Sequence, residues 1–323
     1  MSSKQNIDKK EVAIVGGAGF LGSRLATYFK EKNIFSKRYD TNLSNHLDEI
    51  IYLDVEDKDS LDQLSGVRTI INLAAVHRDD VRPVSRYDAV NVQGAKNICE
   101  IASKHGVNKI IFTSTVAIYG FAPADTDESG ECNYFNDYGR TKYMAEQIYK
   151  AWQLEDPTNR SIVIVRPTVI FGEGNRGNVY NLLRQIASRR FLMFGDGKNK
   201  KSMAYVENVA AFIEYSLSFE SGIHIYNYVD KPDFDMNTLI LDVKKTLLGE
   251  TSVGFRLPGL IGIALGYVGD LIAMLIRRPL PISSIRVKKF LGTTQFSSSV
   301  KETDFIPPFS LKEGLARTLD YEF

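Results

Sequence analysis

Short apolar runs rich in β-branched residues alternate, along the first half of the chain, with stretches whose apolar positions recur at helical spacing. The runs, counting 35–39 (FSKRY) as a candidate second strand of mixed polarity, lie at residues 12–15, 35–39, 50–52, 69–73, 109–114 and 161–166. Segments 20–32, 60–65, 89–105 and 137–154 carry the helical pattern between them. Continuous apolar strands separated by helices predict a parallel sheet covered on both faces, an α/β fold. Regularity fades after Gly172. A Gly/Asn/Arg-rich loop at 173–178, a helix at 179–188, a turn at 195–198 and a helix at 237–248 follow. The expected organisation is a sheet domain over 1–172, joined by about 203–230, and a smaller C-terminal substrate-binding lobe from 173–202 and 231–323.

Composition narrows the function. A chain of 323 residues buries about 75% of its unfolded surface, so its core needs no staples. Hydrophobic residues at 44% and charged residues at 24% exclude a disordered chain. Forty Lys and Arg against 39 Asp and Glu leave a charge of +1, which predicts no nucleic-acid partner. Two cysteines, Cys99 and Cys132, exclude a disulfide framework and point to a reducing compartment, the cytoplasm. Four scattered histidines predict no metal site. Residues 1–10 are polar and predict no signal peptide.

The first strand runs into Gly16-x-x-Gly19-x-x-Gly22 and then a helix. Glycine permits the tight turn and the close approach of a pyrophosphate, which the helix N-terminus then faces. Such a Rossmann-type, doubly wound opening predicts a dinucleotide site. Asp40 lies just past the second run, where a carboxylate accepts the adenosine ribose hydroxyls and repels a 2′-phosphate, favouring NAD. The alternative for Asp40 is a turn residue. Asp54 and Val55, after the third run, are candidates for the adenine edge. Tyr138 and Lys142 lie four apart on a predicted helix, hence on one face. An ammonium beside a phenol favours the phenolate, and a tuned phenolate is a general base. Ser114 and Thr115 end the fifth run, where strand ends line the ligand crevice.

Taken together, Gly16-Gly17-Ala18-Gly19-Phe20-Leu21-Gly22, Thr113-Ser114-Thr115-Val116-Ala117-Ile118-Tyr119-Gly120, Tyr138-x-x-x-Lys142 and Arg166-Pro167 resemble the extended short-chain dehydrogenases/reductases, in their NAD-dependent epimerase/dehydratase branch. The resemblance implies that Thr115 is the active-site hydroxyl, Tyr138 the base and Lys142 its partner on the nicotinamide ribose. It implies cofactor contacts from Phe20, Leu21, Leu73, Ala74, Ala75, Asn91, Ser114 and Pro167 as well. It also implies a homodimer through the helices at 89–105 and 138–154. In this branch a 4-epimerase oxidises C4 to a transient 4-keto sugar, and returns the hydride to the other face. Dehydratase relatives carry an Asp-Glu pair after the active-site Thr. Val116 and Ala117 stand there, which leaves epimerisation or 4-keto reduction.

The substrate half departs from nucleotide-sugar relatives. Val169 stands where many have Asn, and Lys201 where many have a diphosphate-binding Arg; lysine lacks the bidentate fork. Asn178 matches a substrate contact in that group. Residues 257–276 read LPGLIGIALGYVGDLIAMLI, with Asp270 as the sole charge. Four glycines and Pro258 make it a poor continuous spanning helix. Between 271 and 301 there is no acid, but there are Arg277, Arg278, Arg286, Lys288, Lys289 and Lys301. Apolar surface beside a basic cluster suits an anionic membrane face, and the alternative is a buried helix with a solvated basic face. Strings around His77-Arg78-Asp79-Asp80, Arg176-Gly177-Asn178, Lys201-Ser202-Met203 and Arg286-Val287-Lys288 resemble bacterial epimerases acting on N-acetylglucosaminyl-diphospho-undecaprenol in O-antigen synthesis. That resemblance implies a lipid-diphosphate-linked amino sugar, with His77, Arg78, Arg176, Asn178, Lys201 and Arg286 as contacts. It implies an enzyme peripheral on the inner face of the cytoplasmic membrane. A soluble UDP-sugar 4-epimerase and a nucleotide 4-keto-sugar reductase are the alternatives.

Overall fold

The structure is a computed structural model that describes residues 11–43, 50–78, 80–276 and 283–323, with the Arg286 side chain outside the description. Its strands begin with β1 (Val12–Val15), β2 (Ser36–Asp40), β3 (Ile50–Tyr52), β4 (Thr69–Asn72), β5 (Lys109–Thr113) and β6 (Ser161–Pro167). They continue with β7 (Val169–Phe171), β8 (Met193–Phe194), β9 (Lys200–Tyr205), β10 (Gly222–Tyr228), β11 (Asp230–Asp235) and β12 (Arg256–Leu257). The helices are α1 (Phe20–Glu31), α2 (Lys58–Leu61), α3 (Ser85–Tyr87), α4 (Gly94–Lys104), α5 (Asp137–Leu154) and α6 (Asn178–Ala187). Next come α7 (Val206–Tyr215), α8 (Met236–Leu248), α9 (Gly259–Ile276), α10 (Ser284–Leu291) and α11 (Leu311–Glu322).

Seven strands form one parallel sheet in the order β10-β6-β5-β4-β1-β2-β3. Alternate side chains go to opposite faces. Ala13, Val15, Ile110, Phe112, Ile162 and Ile164 pack with Ile98 of α4 and Tyr149 and Trp152 of α5. Val12, Ile14, Ile111, Val163 and Val165 pack on the other face, with Leu25 and Phe29 of α1 and Val209 and Phe212 of α7. Both faces are dry at the central strands β1, β4, β5 and β6, which read as continuous apolar runs. Strand order reverses between β1 and β4, which opens a crevice at their carboxyl ends.

A second core joins β7, β9 and β11, in the order β11-β9-β7, with α6, α8 and α11. Ser310 and Glu313 form a reciprocal capping box that starts α11. The predicted helix at 89–105 opens instead as a wide π-helical turn, Asp88–Gln93, before α4.

The apolar tract also departs from expectation. α9 is one continuous 18-residue helix despite its glycines. Gly262, Gly266 and Gly269 are its only buried positions. They fall on one face, where a Cβ would meet the Phe194 ring at Gly262 and the Ser284 backbone at Gly266, 2.6 and 2.7 Å away. Close approach of its neighbours replaces the side-chain contacts that glycine lacks. The bulky face points outward, with Leu260, Tyr267, Leu271, Met274 and Leu275 each more than half exposed. α9 is long and apolar enough to cross a membrane, by length and composition. Arg277 and Arg278 lie outside the described residues.

Candidate active site

The turn after β1 is held by two N–H donors, from Gly16 and Gly17, on the Tyr39 carbonyl at 2.9 and 3.0 Å. Gly16 has φ +83°, and a Cβ there would lie 2.7 Å from the Ala74 nitrogen. A Cβ on Gly22 would lie 2.4 Å from the Gly16 carbonyl oxygen, so α1 presses directly on the turn. Gly19 is the N-cap of α1, and no side chain caps it. The first N–H groups of that helix therefore face the crevice with their dipole. Phe20 and Leu21 offer those backbone groups, while their side chains pack against the second core. The Asp40 carboxylate accepts from the Ala18 N–H at 2.9 Å and from the Asn42 N–H at 2.9 Å. It thus joins the glycine turn to the end of β2.

Other expected cofactor positions divide into two kinds. Leu73, Ala74 and Ala75 follow β4 and are half-buried at the crevice, with the Ala74 N–H on Asn72 Oδ1. Ser114 sits at the end of β5, where its hydroxyl is buried and has no hydrogen-bond partner. A buried orphan hydroxyl is costly unless a ligand meets it. The glycine cradle, the uncapped helix and this hydroxyl together fit a dinucleotide. Pro167 closes β6 fully buried. Asn91 is anchored within the fold. Its amide accepts from Val76 N and donates to Val76 O and Thr141 Oγ1, which uses both amide hydrogens inside the protein. Val55 follows β3. Its side chain is core against Gly94, and its carbonyl accepts from Asn97. Asp54 accepts from the Glu56 N–H at 2.9 Å within its own turn.

Thr115 caps the short 3-10 turn Val116–Tyr119, accepting from the Ala117 N–H at 3.1 Å. That leaves its hydroxyl proton to donate. Asn136 caps α5 by accepting from the Gly139 N–H at 2.8 Å, which sets Tyr138 in the first turn. Gly139 lets that turn close on the Thr115 segment, because a Cβ there would stand 2.8 Å from the Ala117 carbonyl oxygen. Lys142 follows one turn later, 1% exposed, with its ammonium 4.1 Å from the Phe112 ring centroid. Burial draws its pKa down to about 7, with the Glu146 charge opposing the shift. A Tyr138 phenolate and a Lys142 ammonium each favour the charged form of the other.

Glu146 was not singled out from the sequence, although Tyr138, Lys142 and Glu146 repeat at four-residue spacing on one helix face. It is fully buried and takes both Arg166 Nε (2.9 Å) and Nη2 (2.7 Å). Arg166 also donates to the Tyr119 hydroxyl, which donates to Asn227. The chain of contacts joins α5, β6, the Thr115 turn and β10. Tyr119 is raised to about 12, chiefly by burial.

The expected substrate contacts scatter. His77 and Arg78 are exposed after β4, with Arg78 paired to Asp80. Arg176 pairs with Glu322 at 2.6 Å and lies over Tyr180, while Asn178 begins α6. Lys201 donates to the Lys289 and Gly292 carbonyls, so its ammonium sits at the end of α10, and burial lowers it to about 8. Arg286 belongs to α10, and its side chain lies outside the described residues.

Comparison with known proteins adds three findings. The profile of the NAD dependent epimerase/dehydratase family matches residues 12–228. The N-acetyl-alpha-D-glucosaminyl-diphospho-ditrans,octacis-undecaprenol 4-epimerase of Escherichia coli O157:H7 is 46% identical over 317 residues, covering 97% of this chain and 95% of that protein. Two solved structures share the fold. The UDP-glucose 4-epimerase of Thermotoga maritima, with UDP-glucose, has a TM-score of 0.75 at 21% identity, over 96% of this chain and 98% of that one. The UDP-glucose 4-epimerase of Thermus thermophilus, with NAD, has 0.73 at 18%, over 97% and 98%.

Proposed function

The chain belongs to the NAD dependent epimerase/dehydratase family, and on that footing we propose that it is a membrane-surface 4-epimerase of N-acetylglucosamine and N-acetylgalactosamine linked to undecaprenyl diphosphate, serving surface-polysaccharide synthesis. The 46% identity to the undecaprenol-linked epimerase supports the substrate. The observation that carries the reading beyond resemblance is α9. An 18-residue apolar helix with only its glycines buried, on the lobe that borders the crevice, suits a lipid-linked substrate and its bilayer.

The Gly16–Gly22 turn, Asp40 and the Ser114 end of β5 would hold NAD, which when bound would supply the hydride acceptor and donor at C4. The chain's own groups do the rest. Tyr138 takes the C4 hydroxyl proton, and Thr115 donates to the same oxygen and holds it. Lys142 keeps the phenolate available, because an ammonium one turn away lowers the cost of its charge. After the 4-keto sugar turns over, Tyr138 returns the proton. Val116 and Ala117 provide no carboxylate for water elimination. Residues 173–202 and 231–323 form the substrate lobe in this reading, and the enzyme works at the inner face of the cytoplasmic membrane. It pairs as a homodimer through α4 and α5, the second of which exposes Met144 and Leu154.

The test offers N-acetylglucosaminyl-diphospho-undecaprenol and UDP-N-acetylglucosamine, in parallel, to purified protein without added cofactor. Released sugar is scored for the C4 epimer. Conversion of the lipid-linked sugar alone is expected. Conversion of the UDP-sugar alone, or turnover only after a keto-sugar and reduced cofactor are added, refutes the proposal.

A further inference from the structure

The turn next to the active-site hydroxyl has few bonds of its own. Val116–Tyr119 is four residues of 3-10 helix, a form with poor hydrogen-bond geometry that persists only in short pieces. Phe296, from the chain beyond α10, backs it. Phe296 is 6% exposed and packs in one apolar cluster with Ile118 and Tyr119. Its ring lies 5.8 Å from the Tyr119 ring, with planes at 31°. Among the described residues, it is the sole buried member of that cluster from outside the turn.

Phe296 is itself held from both sides. Its N–H donates to Ser202 Oγ of β9 at 2.9 Å, and that hydroxyl donates to Asp233 of β11 at 2.7 Å. On the other side the Asp125 N–H donates to the Gln295 carbonyl at 2.8 Å, and the Ser297 N–H to the Thr126 carbonyl at 3.0 Å. The Tyr119 hydroxyl donates to Asn227 Oδ1 at 2.8 Å, and the same amide donates to the Ser297 carbonyl at 2.9 Å. Residues 296 and 297 thus fix Tyr119 by its ring and, through Asn227, by its hydroxyl. Both reacting groups depend on this turn. Thr115 Oγ1 accepts from the Ala117 N–H, and Gly139, the neighbour of Tyr138 on α5, closes on the Ala117 carbonyl. A turn that shifts moves the hydroxyl relative to the phenol.

We propose that Phe296 is a positioning residue for the reaction, the backing against which the Val116–Tyr119 turn sets the Thr115 hydroxyl relative to the Tyr138 phenol. Both groups address one substrate oxygen, so an error in the turn becomes an error at the reacting atom. The inference rests on the roles proposed above for Thr115 and Tyr138.

Phe296→Leu keeps an apolar side chain and removes the ring contact. Phe296→Met, longer and more adaptable, is the second variant. Phe212→Leu makes the same change in the core between α7 and the sheet, and measures what lost packing alone does to turnover. Each is assayed with N-acetylglucosaminyl-diphospho-undecaprenol and with UDP-N-acetylglucosamine, and the Phe296 variants also in combination with Thr115→Val. NAD content and Tm are read on every protein. Phe296→Leu is expected to lower kcat by about tenfold, because misplacement of about 1 Å can cost ~10²-fold. Its KM is expected to change by less than about twofold, since no substrate contact is removed. Phe296→Met is expected to recover part of the lost kcat, and Phe212→Leu to lower Tm with kcat unchanged. In the Thr115→Val background Phe296→Leu is expected to change kcat by less than about twofold, because the hydroxyl it positions is gone. A wild-type kcat in Phe296→Leu, a rise in KM in place of the kcat loss, or an equal kcat loss with and without the Thr115 hydroxyl overturns the positioning role and leaves the proposed function standing. Loss of bound NAD from both Phe296 variants, or a kcat loss in Phe212→Leu as large as theirs, overturns it as well. A wild-type kcat in Thr115→Val overturns the reading of the site, and the positioning role with it.

Discussion

Glu146→Gln removes one charge from the buried pair with Arg166 while keeping the shape of the side chain. Both partners are sealed from solvent, at 0% and 4% side-chain exposure, and the contact is bidentate. Breaking such a pair leaves an uncompensated guanidinium and costs about 3–5 kcal/mol. At ~2.1 cal/mol/K of unfolding entropy per residue, a chain of 323 residues loses about 4–7 °C in Tm. The same change acts on catalysis. The Glu146 charge opposes the burial that draws Lys142 down to about 7. Without it the ammonium gives up its proton at lower pH, so the alkaline limb of kcat/KM moves to lower pH. Thermal unfolding and a pH profile of C4 epimerisation read both effects. The double variant Glu146→Met/Arg166→Met removes both charges, and it is expected to recover at least half of the lost Tm, since apolar replacement of a whole buried pair is close to neutral. A Tm loss in Glu146→Gln below ~1 °C, with an unmoved alkaline limb, refutes the reasoning.

Gly16→Ala puts a side chain 2.7 Å from the Ala74 nitrogen at φ +83°. It adds about 1–2 kcal/mol of left-handed strain, and purified protein is expected to lose its bound NAD, read by absorbance after denaturation. Tyr138→Phe is expected to cut kcat by about 10²–10⁴ with NAD retained; comparable turnover would remove Tyr138 as the base. Burial lowers Lys142 to about 7, and Lys109 and Lys201 each to about 8. Above those values the unfolded chain binds more protons than the native one, so these groups make stability rise from pH ~7 upward. Lys142→Met is expected to flatten that rise in urea titrations of the NAD-free protein. Cys99 from pH ~8.5 and Tyr119 from pH ~10 oppose that rise, because burial holds them protonated in the native state, and the rise ends only near pH ~10.4, where the unfolded chain gives up its lysine protons. Leu265→Ser/Leu271→Ser changes two exposed positions of α9, so stability should move by less than about 0.5 kcal/mol per site. Co-flotation with anionic vesicles should fall, and unchanged flotation would remove α9 as the membrane contact.

The central strands β1, β4, β5 and β6 were legible because they are dry on both faces, which writes a continuous apolar run into the sequence. The glycine turn was legible for a related reason. At Gly16 and Gly22 a Cβ would collide with backbone, and only glycine is compatible with that geometry. Tyr138 and Lys142 stood out through helical spacing and family resemblance. The second sheet escaped because β9, its central strand, opens with polar residues, and the edge strand β11 is mixed in polarity and contains a proline. The sequence places Asn91 near the cofactor, and only the structure shows that its amide also ties Val76 to Thr141. Position near a crevice does not say which way a side chain points.

What the sequence determined by itself is the local chemistry: where the chain must turn, which faces must be dry, and which helix carries a phenol and an amine together. Tertiary structure decided whatever depends on partners far apart along the chain. It paired Glu146 with Arg166, left the Ser114 hydroxyl without a partner, and turned the glycines of α9 inward so that its bulky side chains face out. Backbone conformation and hydrophobic periodicity are set by neighbours within a few residues. The dielectric around a charge, and the exposure of a helix face, are set by whatever packs against them.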